Sequence, residues 1–409
     1  MPARDRTPRT DRTGATRRQF LFGGAVAGVG AVAAIGIDAA VRGGGTAEAG
    51  ASTPLNGTAT VPFHGAHQAG IDTDAQAHAV FVALDLAPEV DREGLRRLLR
   101  ILSDDAARMT QGEPALADSE PELAVTPARL TVTFGFGPGL VARAGGAVPS
   151  WLAPLPAFTI DRLRPDFGDG DLLVQVAADD QVTVAHAVRM LLKDARSFTS
   201  VRWTQRGFRR AHGSERPGTT MRNLFGQVDG TSNPLPGTTE FDRVVWAEEG
   251  WLAGGTGAVV RRIHMDLDAW DRLDRPGRDQ SVGRFQSTGA PLTGTAEFDE
   301  PDFAATTAIG FPVIPEFSHL RRARSENEGE KIFRRGYNYD DAPGAGAISD
   351  AGLIFVSFQA DVERQFVPIQ RRLDELDLLN EWTTPIGSAV FAIPPGCAPG
   401  GYIGETLLG

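Results

Sequence analysis

Between residues 92 and 109 the chain reads REGLRRLLRILSDDAARM, with Leu95, Leu98, Leu99 and Leu102 three and four apart and arginine on the other side. That spacing predicts an amphipathic helix. On either side of it the period changes to two. HAVFVALDLA (78–87) is a β-rich run, and RLTVTFGFG (129–137) alternates Leu130, Val132 and Phe134 with Thr131 and Thr133, as a half-buried strand does. A strand at DLLVQVAAD (171–179), a helix at TVAHAVRMLLKDA (183–195) and a strand at SVRWTQRGFRR (200–210) follow. The order β, α, β, β, α, β is the ferredoxin-like arrangement, an antiparallel sheet with helices on one face.

The second half repeats the pattern without repeating the residues. VVWAEEG (244–250) and GAVVRRIHMDL (257–267) read as strands, with a helix starting near Asp268. GLIFVSFQA (352–360) is a strong strand, VERQFVPIQRRL (362–373) places Val362, Phe366, Ile369 and Leu373 on one helical face, and GSAVFAIPP (387–395) closes as a strand. The predicted fold class is α+β: two ferredoxin-like units of the dimeric α+β barrel type in one chain, 50–235 and 236–409, with antiparallel sheets and peripheral helices. Residues 268–350 form a long, polar, Gly/Pro-punctuated excursion, of a length more often functional than structural.

The first fifty residues have another character. Arg17 and Arg18 precede Phe20 and Leu21, and an uncharged Ala/Gly/Val-rich run extends to Ile37. Residues 1–49 read as a twin-arginine export signal, with a small-x-small cleavage site after Ala49. The expected location is extracytoplasmic, the twin-arginine translocase is the implied partner during export, and the mild hydrophobicity suits a signal better than a membrane anchor. That route carries folded proteins, which hints at a prosthetic group inserted beforehand.

The net charge is −11, and residues 1–49 carry seven Arg against four acidic residues, so the rest of the chain carries −14. Such a body is poorly suited to nucleic acid, whose phosphates supply most non-specific affinity. A small neutral or cationic substrate fits better. Cys397 is the only cysteine, which excludes an intrachain disulfide and a cysteine-based metal centre. The sequence has no H-E-x-x-H, no P-loop, no G-x-G-x-x-G after a strand and no G-x-S-x-G in a strand–turn–helix context.

Three stretches remain as candidate chemistry. FGQVDGTSNP (225–234) brackets Asp229 with Gly226 and Gly230; EFSHLRRAR (316–324) sets His319 among arginines; KIFRRGYNY (331–339) carries Arg334 and Arg335. Each has an ordinary explanation on its own, as a turn aspartate, a surface histidine and a solvated basic face. Together, followed by GLIFVSFQ and preceded by FHGAHQAGI (63–71), LTVTFGFGPGL (130–140) and DLLVQVAADD, they resemble the dye-decolorizing peroxidases. The likeness runs in order from about residue 61 to 405.

The resemblance implies haem b, one per chain, held in the second unit, with H2O2 and small organic donors such as dyes or phenols as substrates. His319 matches the proximal iron ligand of that family, and Asp361 is the carboxylate expected to accept its other N–H. Asp229, on a loop assigned to the first unit, matches the distal acid–base residue, with Gly230 letting the backbone pass close to the macrocycle. Arg334 matches the distal arginine, with Arg335 as its competitor, and is also a candidate to hold a haem propionate. Leu353 and Phe355 resemble the apolar cover of the distal pocket. Surface aromatics would relay electrons from bulky donors, the candidates being Tyr337, Tyr339, Trp246, Trp251 and Trp382; His64 and His67 are expected to be structural. No stable membrane association is expected, and a homo-oligomer is left open. The alternative is a protein that binds haem or extracts its iron, a deferrochelatase, on the same scaffold. A carboxylate remains a base at acidic pH, where a histidine is protonated, so the resemblance implies an acidic activity optimum.

Overall fold

The computed structural model describes residues 55–409. The twin-arginine stretch and its cleavage site, within residues 1–54, lie outside the described residues. The strands are β1 (His78–Leu86), β2 (Thr131–Phe136), β3 (Leu172–Ala178), β4 (Thr199–Phe208), β5 (Thr256–Met265), β6 (Phe333–Arg334), β7 (Tyr337–Asp341), β8 (Asp350–Gln359) and β9 (Thr383–Ile393). The helices used below are α1 (Arg92–Thr110), α2 (Pro138–Arg143), α3 (Gln181–Ala195), α4 (Thr239–Val245), α5 (Leu267–Asp271), α6 (Arg275–Val282), α7 (His319–Ala323) and α8 (Val367–Leu376).

All pairings between these strands are antiparallel. The first half runs β4–β1–β3–β2 and the second β9–β5–β8–β7, the same order twice. β6 and β7 lie end to end along one edge of β8, at Phe358–Ser357 and Ile354–Asp350. The halves join through Phe136 with Ala392 and Phe208 with Asn338. The result is a closed sheet of two ferredoxin-like units.

Closure gives most strands two buried faces; β4 is the exception, with Ser200, Arg202, Thr204 and Arg206 exposed on its outer side. The outer face of the first half is covered by α1 and α3. The leucine stripe Leu95, Leu98, Leu99 and Leu102 is fully buried there, against Val132 and Val174. Asp91 and Asp180 start the two helices by accepting the backbone N–H of Gly94 and Thr183, each at 2.8 Å. The inner face holds Phe81, Trp203, Ile354, Phe358 and Phe391. Thr131 and Thr133 therefore do not face solvent as their alternation suggests. They point into the barrel, where Thr133 donates to Ala69 O at 2.6 Å and Thr131 accepts from Gln76 at 3.1 Å. Tyr337 and Tyr339, considered above as surface relays, are also fully buried inside it.

VVWAEEG is not a strand. Its first residues end α4, which Thr238 caps through Phe241 N–H and which buries Phe241, Val244 and Val245 on one side. The second half also differs in what covers its outer face. Instead of two long helices, Met265, Leu353 and Phe355 meet α8 and the excursion between β5 and β7, and a cavity is enclosed between them.

The interface between α1 and α3 contains a paired acid. Asp105 is buried, and burial, then the hydrogen bond and charge of Asp105, push the Asp194 carboxyl up to about 7. The folded state therefore holds a proton that the unfolded chain releases near ~4. The stability from this pair is complete below that pH and is lost as pH rises through about 7. Asp194→Asn is expected to melt like the native chain at pH 4 and at a higher temperature at pH 8. Identical melting curves at both pH values would refute the shared proton.

Candidate active site

FGQVDG folds as a narrow hairpin. Asn223 N–H donates to Gln227 O at 3.0 Å, Gly226 N–H to Asn223 O at 2.9 Å, and Asp229 N–H to Met221 O at 2.8 Å. The tight turn is at 223–226. Gly226 sits at φ +79, where a Cβ would lie 2.6 Å from Gln286 Nε2, so the position requires glycine. Asp229 comes after that turn on the returning arm. Gly230 follows at φ +131, a conformation that side chains rarely adopt. The carboxylate of Asp229 is met by Arg334, Nη1 to Oδ1 at 2.9 Å.

Arg334 and Arg335 point in opposite directions, because successive residues of an extended segment do. Arg334 lines the cavity. Arg335 is buried on the other side, where it donates to Thr73 O, to Asp74 O at 3.1 Å and to Gln76 Oε1 at 2.9 Å. Of the two, only Arg334 reaches Asp229.

His319 opens α7 and faces the same cavity, which measures about 440 Å³. Its Nδ1 lies 2.6 Å from Asp377 Oδ2. Asp377 is buried at the end of α8, and its other oxygen accepts Leu379 N–H at 3.0 Å. Burial pushes the imidazole pKa down, but the charge and hydrogen bond of Asp377 outweigh it and the net direction is up. A carboxylate can only accept, so Nδ1 carries the proton of the neutral ring and Nε2 keeps the lone pair. Asp361 does not fill this role. Its Oδ1 accepts Arg364 N–H at 2.9 Å at the start of the helical segment leading into α8. Sequence reasoning missed Asp377 because it stands in an acidic stretch, LDELD, where its burial alone distinguishes it.

Leu353 and Phe355 line the cavity from the outer face of β8, and Gly230 lines it from the hairpin. The remaining aromatic candidates separate. Trp246 is buried and stacked on His67 at 3.7 Å, a packing role for both. Trp251 donates to Ala147 O at 2.9 Å, away from the cavity-lining residues. Trp382, half-buried, meets the edge of buried Trp270 at 5.2 Å, and Trp270 stacks on Phe225 at 4.5 Å. That cluster includes Met265, Leu353 and Leu379, which also line the cavity.

Models of the two domains of Dyp-type peroxidases match this chain, the N-terminal one over residues 68–209 and the C-terminal one over 220–398. The chain belongs to the Dyp-type peroxidase family. A dye-decolorizing peroxidase of Thermobifida fusca (strain YX) is 38% identical, with 98% of this chain and 99% of that one aligned. A deferrochelatase of Escherichia coli (strain K12) is 35% identical over 85% of this chain and 87% of its own. Among solved structures, a DyP-type peroxidase from Cellulomonas bogoriensis is 55% identical with a TM-score of 0.84, covering 87% of this chain and 99% of that chain. An oxyferrous complex of DtpA from Streptomyces lividans is 43% identical with a TM-score of 0.84, over 87% and 100%.

This Dyp-type peroxidase is therefore an enzyme, and its cofactor is haem. The residues present fit that group. The cavity volume lies in the range of cofactor sites. Leu353, Phe355 and Met265 offer apolar walls, Nε2 of His319 offers a lone pair that could bind iron, and Asp229 beside Arg334 forms a polar pair in the same cavity. The two arginines can be told apart by stability. Arg335→Leu is expected to cost on the order of 3 kcal/mol, because it strands buried acceptors, while Arg334→Leu melts close to the native chain. Equal losses in a denaturant titration would contradict that division.

Proposed function

We propose that this peroxidase uses His319 to hold haem, Asp229 to move the proton of H2O2 and Arg334 to assist O–O cleavage, oxidising dyes, phenols or other small organic donors. The observation that carries the reading is the 2.9 Å contact between Asp229 and Arg334 in the cavity that His319 also lines. Bound haem supplies the redox centre that takes up the oxidising equivalents of peroxide. The protein supplies the proton traffic. Asp229 accepts the proton of one peroxide oxygen and returns it to the other, which leaves as water. Arg334 brings positive charge to the departing oxygen and holds Asp229 in place through their hydrogen bond. Asp377 fixes the ring of His319 and makes Nε2 a stronger donor. Leu353 and Phe355 limit competing water.

Two one-electron oxidations of donors return the enzyme to rest. For donors too large for the cavity, Trp382 and Trp270 are the aromatic pair through which we route the electrons, since Tyr337 and Tyr339 lie inside the barrel. The twin-arginine stretch supports export of the folded holoenzyme.

Rapid mixing of the holoenzyme with one equivalent of H2O2 tests the assignment through the change in the Soret band. Asp229→Ala should slow it by about 10²–10⁴-fold, with the native profile favouring acidic pH. Arg334→Leu should slow it by about 10²–10³-fold. Native rates in both variants would remove both assignments, and a Soret band without turnover of any dye would favour the haem-handling alternative. Separately, Asp377→Ala is expected to weaken haem binding by about 10–100-fold, and Asp361→Asn to leave it unchanged. The reverse result in an apoprotein titration would return the role to Asp361.

A further inference from the structure

β6 is only two residues long and lies at the end of the strand order. On one side it pairs with β8, through Phe333 with Phe358 and through Arg335 N–H donating to Val356 O at 2.8 Å. The N–H and C=O of Arg334 point the other way, because backbone groups alternate along an extended chain. β7, the continuation of β6, has β4 on that side, but β6 itself has no strand there among the described residues. A side chain takes the place of the missing strand. Asn233 Oδ1 accepts Arg334 N–H at 3.1 Å, and Asn233 Nδ2 donates to Arg334 O at 2.7 Å.

A primary carboxamide has the donor and acceptor of a peptide group side by side, so it can satisfy one residue of a strand edge from both directions. A carboxylate of the same shape cannot, since it would set an oxygen against the Arg334 carbonyl. Asn233 is itself held: its N–H donates to Gly230 O at 3.0 Å, and the next residue, Pro234, is buried. Glu297 braces the flanks of the hairpin, accepting Thr220 Oγ1 at 2.6 Å and Thr231 Oγ1 at 3.0 Å. Asp229 and Arg334 therefore meet because their backbones are clamped together four residues from Asp229, in addition to the attraction between their charges.

We propose that Asn233 is a positioning residue: it sets the placement of Arg334 relative to Asp229 through the main chain and so governs the reaction with peroxide. The inference rests on the reading of Asp229 and Arg334 given above. A misplacement of about 1 Å is worth up to ~10²-fold in rate.

The test uses holoenzyme carrying Asn233→Ala, Asn233→Asp, Arg334→Leu, or Asn233→Ala with Arg334→Leu. Two readouts are taken: the rate of the Soret change with H2O2, and the fluoride affinity of the resting enzyme, an equilibrium probe of the same polar pair. Asn233→Ala and Asn233→Asp should each lose about 10- to 10²-fold in rate and bind fluoride more weakly. Asn233→Ala should add nothing once Arg334 is already leucine, an outcome that general destabilisation would not produce. If Arg334→Leu slows the reaction but neither Asn233 variant does, or if Asn233→Ala slows the Arg334→Leu enzyme further, Asn233 does not act through Arg334 and the inference is wrong. If Arg334→Leu changes neither readout, the reading of Arg334 falls and the inference falls with it. Asn233→Asp, nearly isosteric, keeps the test decisive should the alanine variant fail to fold.

Discussion

Two single-residue strand pairings, Phe136 with Ala392 and Phe208 with Asn338, join two sheets that would otherwise expose four open edges, those of β2, β4, β7 and β9. Unpaired edges invite association with other chains, and closure removes them. It also separates two duties that an open ferredoxin-like sheet must perform on one face. The common interior supplies cohesion, with Phe81, Phe358 and Phe391 fully buried in it. The outer face of the second half is thereby released from carrying the main core and can border a cavity. The first half keeps two long helices over that face; the second replaces them with a polar excursion that brings His319 and Arg334 to it.

Electrostatics in the site serves placement more than stability. Arg334 and Asp229 are both partly exposed to the cavity, and ion pairs of that kind contribute only about 0–1 kcal/mol. Other polar contacts fix the framework around them. Asn233 satisfies the backbone of Arg334, Glu297 braces the hairpin, and Asp377 fixes the imidazole of His319. Each of these three spends its polar capacity within the protein, which leaves Asp229 and Nε2 of His319 turned toward whatever enters. The acid therefore has a defined position without being locked into the framework.

Most of the fold was legible in the sequence because period two and period 3.6 are imposed by burial, and burial here is extensive. The leucine stripe of α1 and the strand runs follow that rule directly. The departures share a cause. Alternation shows that a strand has two faces, not that one of them is wet, so Thr131 and Thr133 were misplaced by a barrel whose interior is also buried; Tyr337 and Tyr339, taken through the resemblance for surface relays, lie in that same interior. VVWAEEG was misread because two β-branched residues end a capped helix. At the site, the residue types and their order pointed to Asp229, His319 and Arg334, and strand alternation separates Arg334 from Arg335 once an extended backbone is known. Asp377 and Asn233 carry no such mark. Their partners lie 58 and 101 residues away, and only the tertiary contact distinguishes them from neighbouring acids and turn residues.

The opposite face of the arginine pair has a consequence for when the site comes into being. Arg335 is anchored to Ile71, Thr73, Asp74 and Gln76, across a separation of about 260 residues. Contacts so distant in the chain are among the slowest to form, because a very long loop must close first. The segment bearing Arg334 thus takes its final place only after the beginning of the described chain and its last third have both been made and joined. Until residues 71–76 and Arg335 have met, the neighbouring Arg334, and with it one wall of the cavity, has no fixed place.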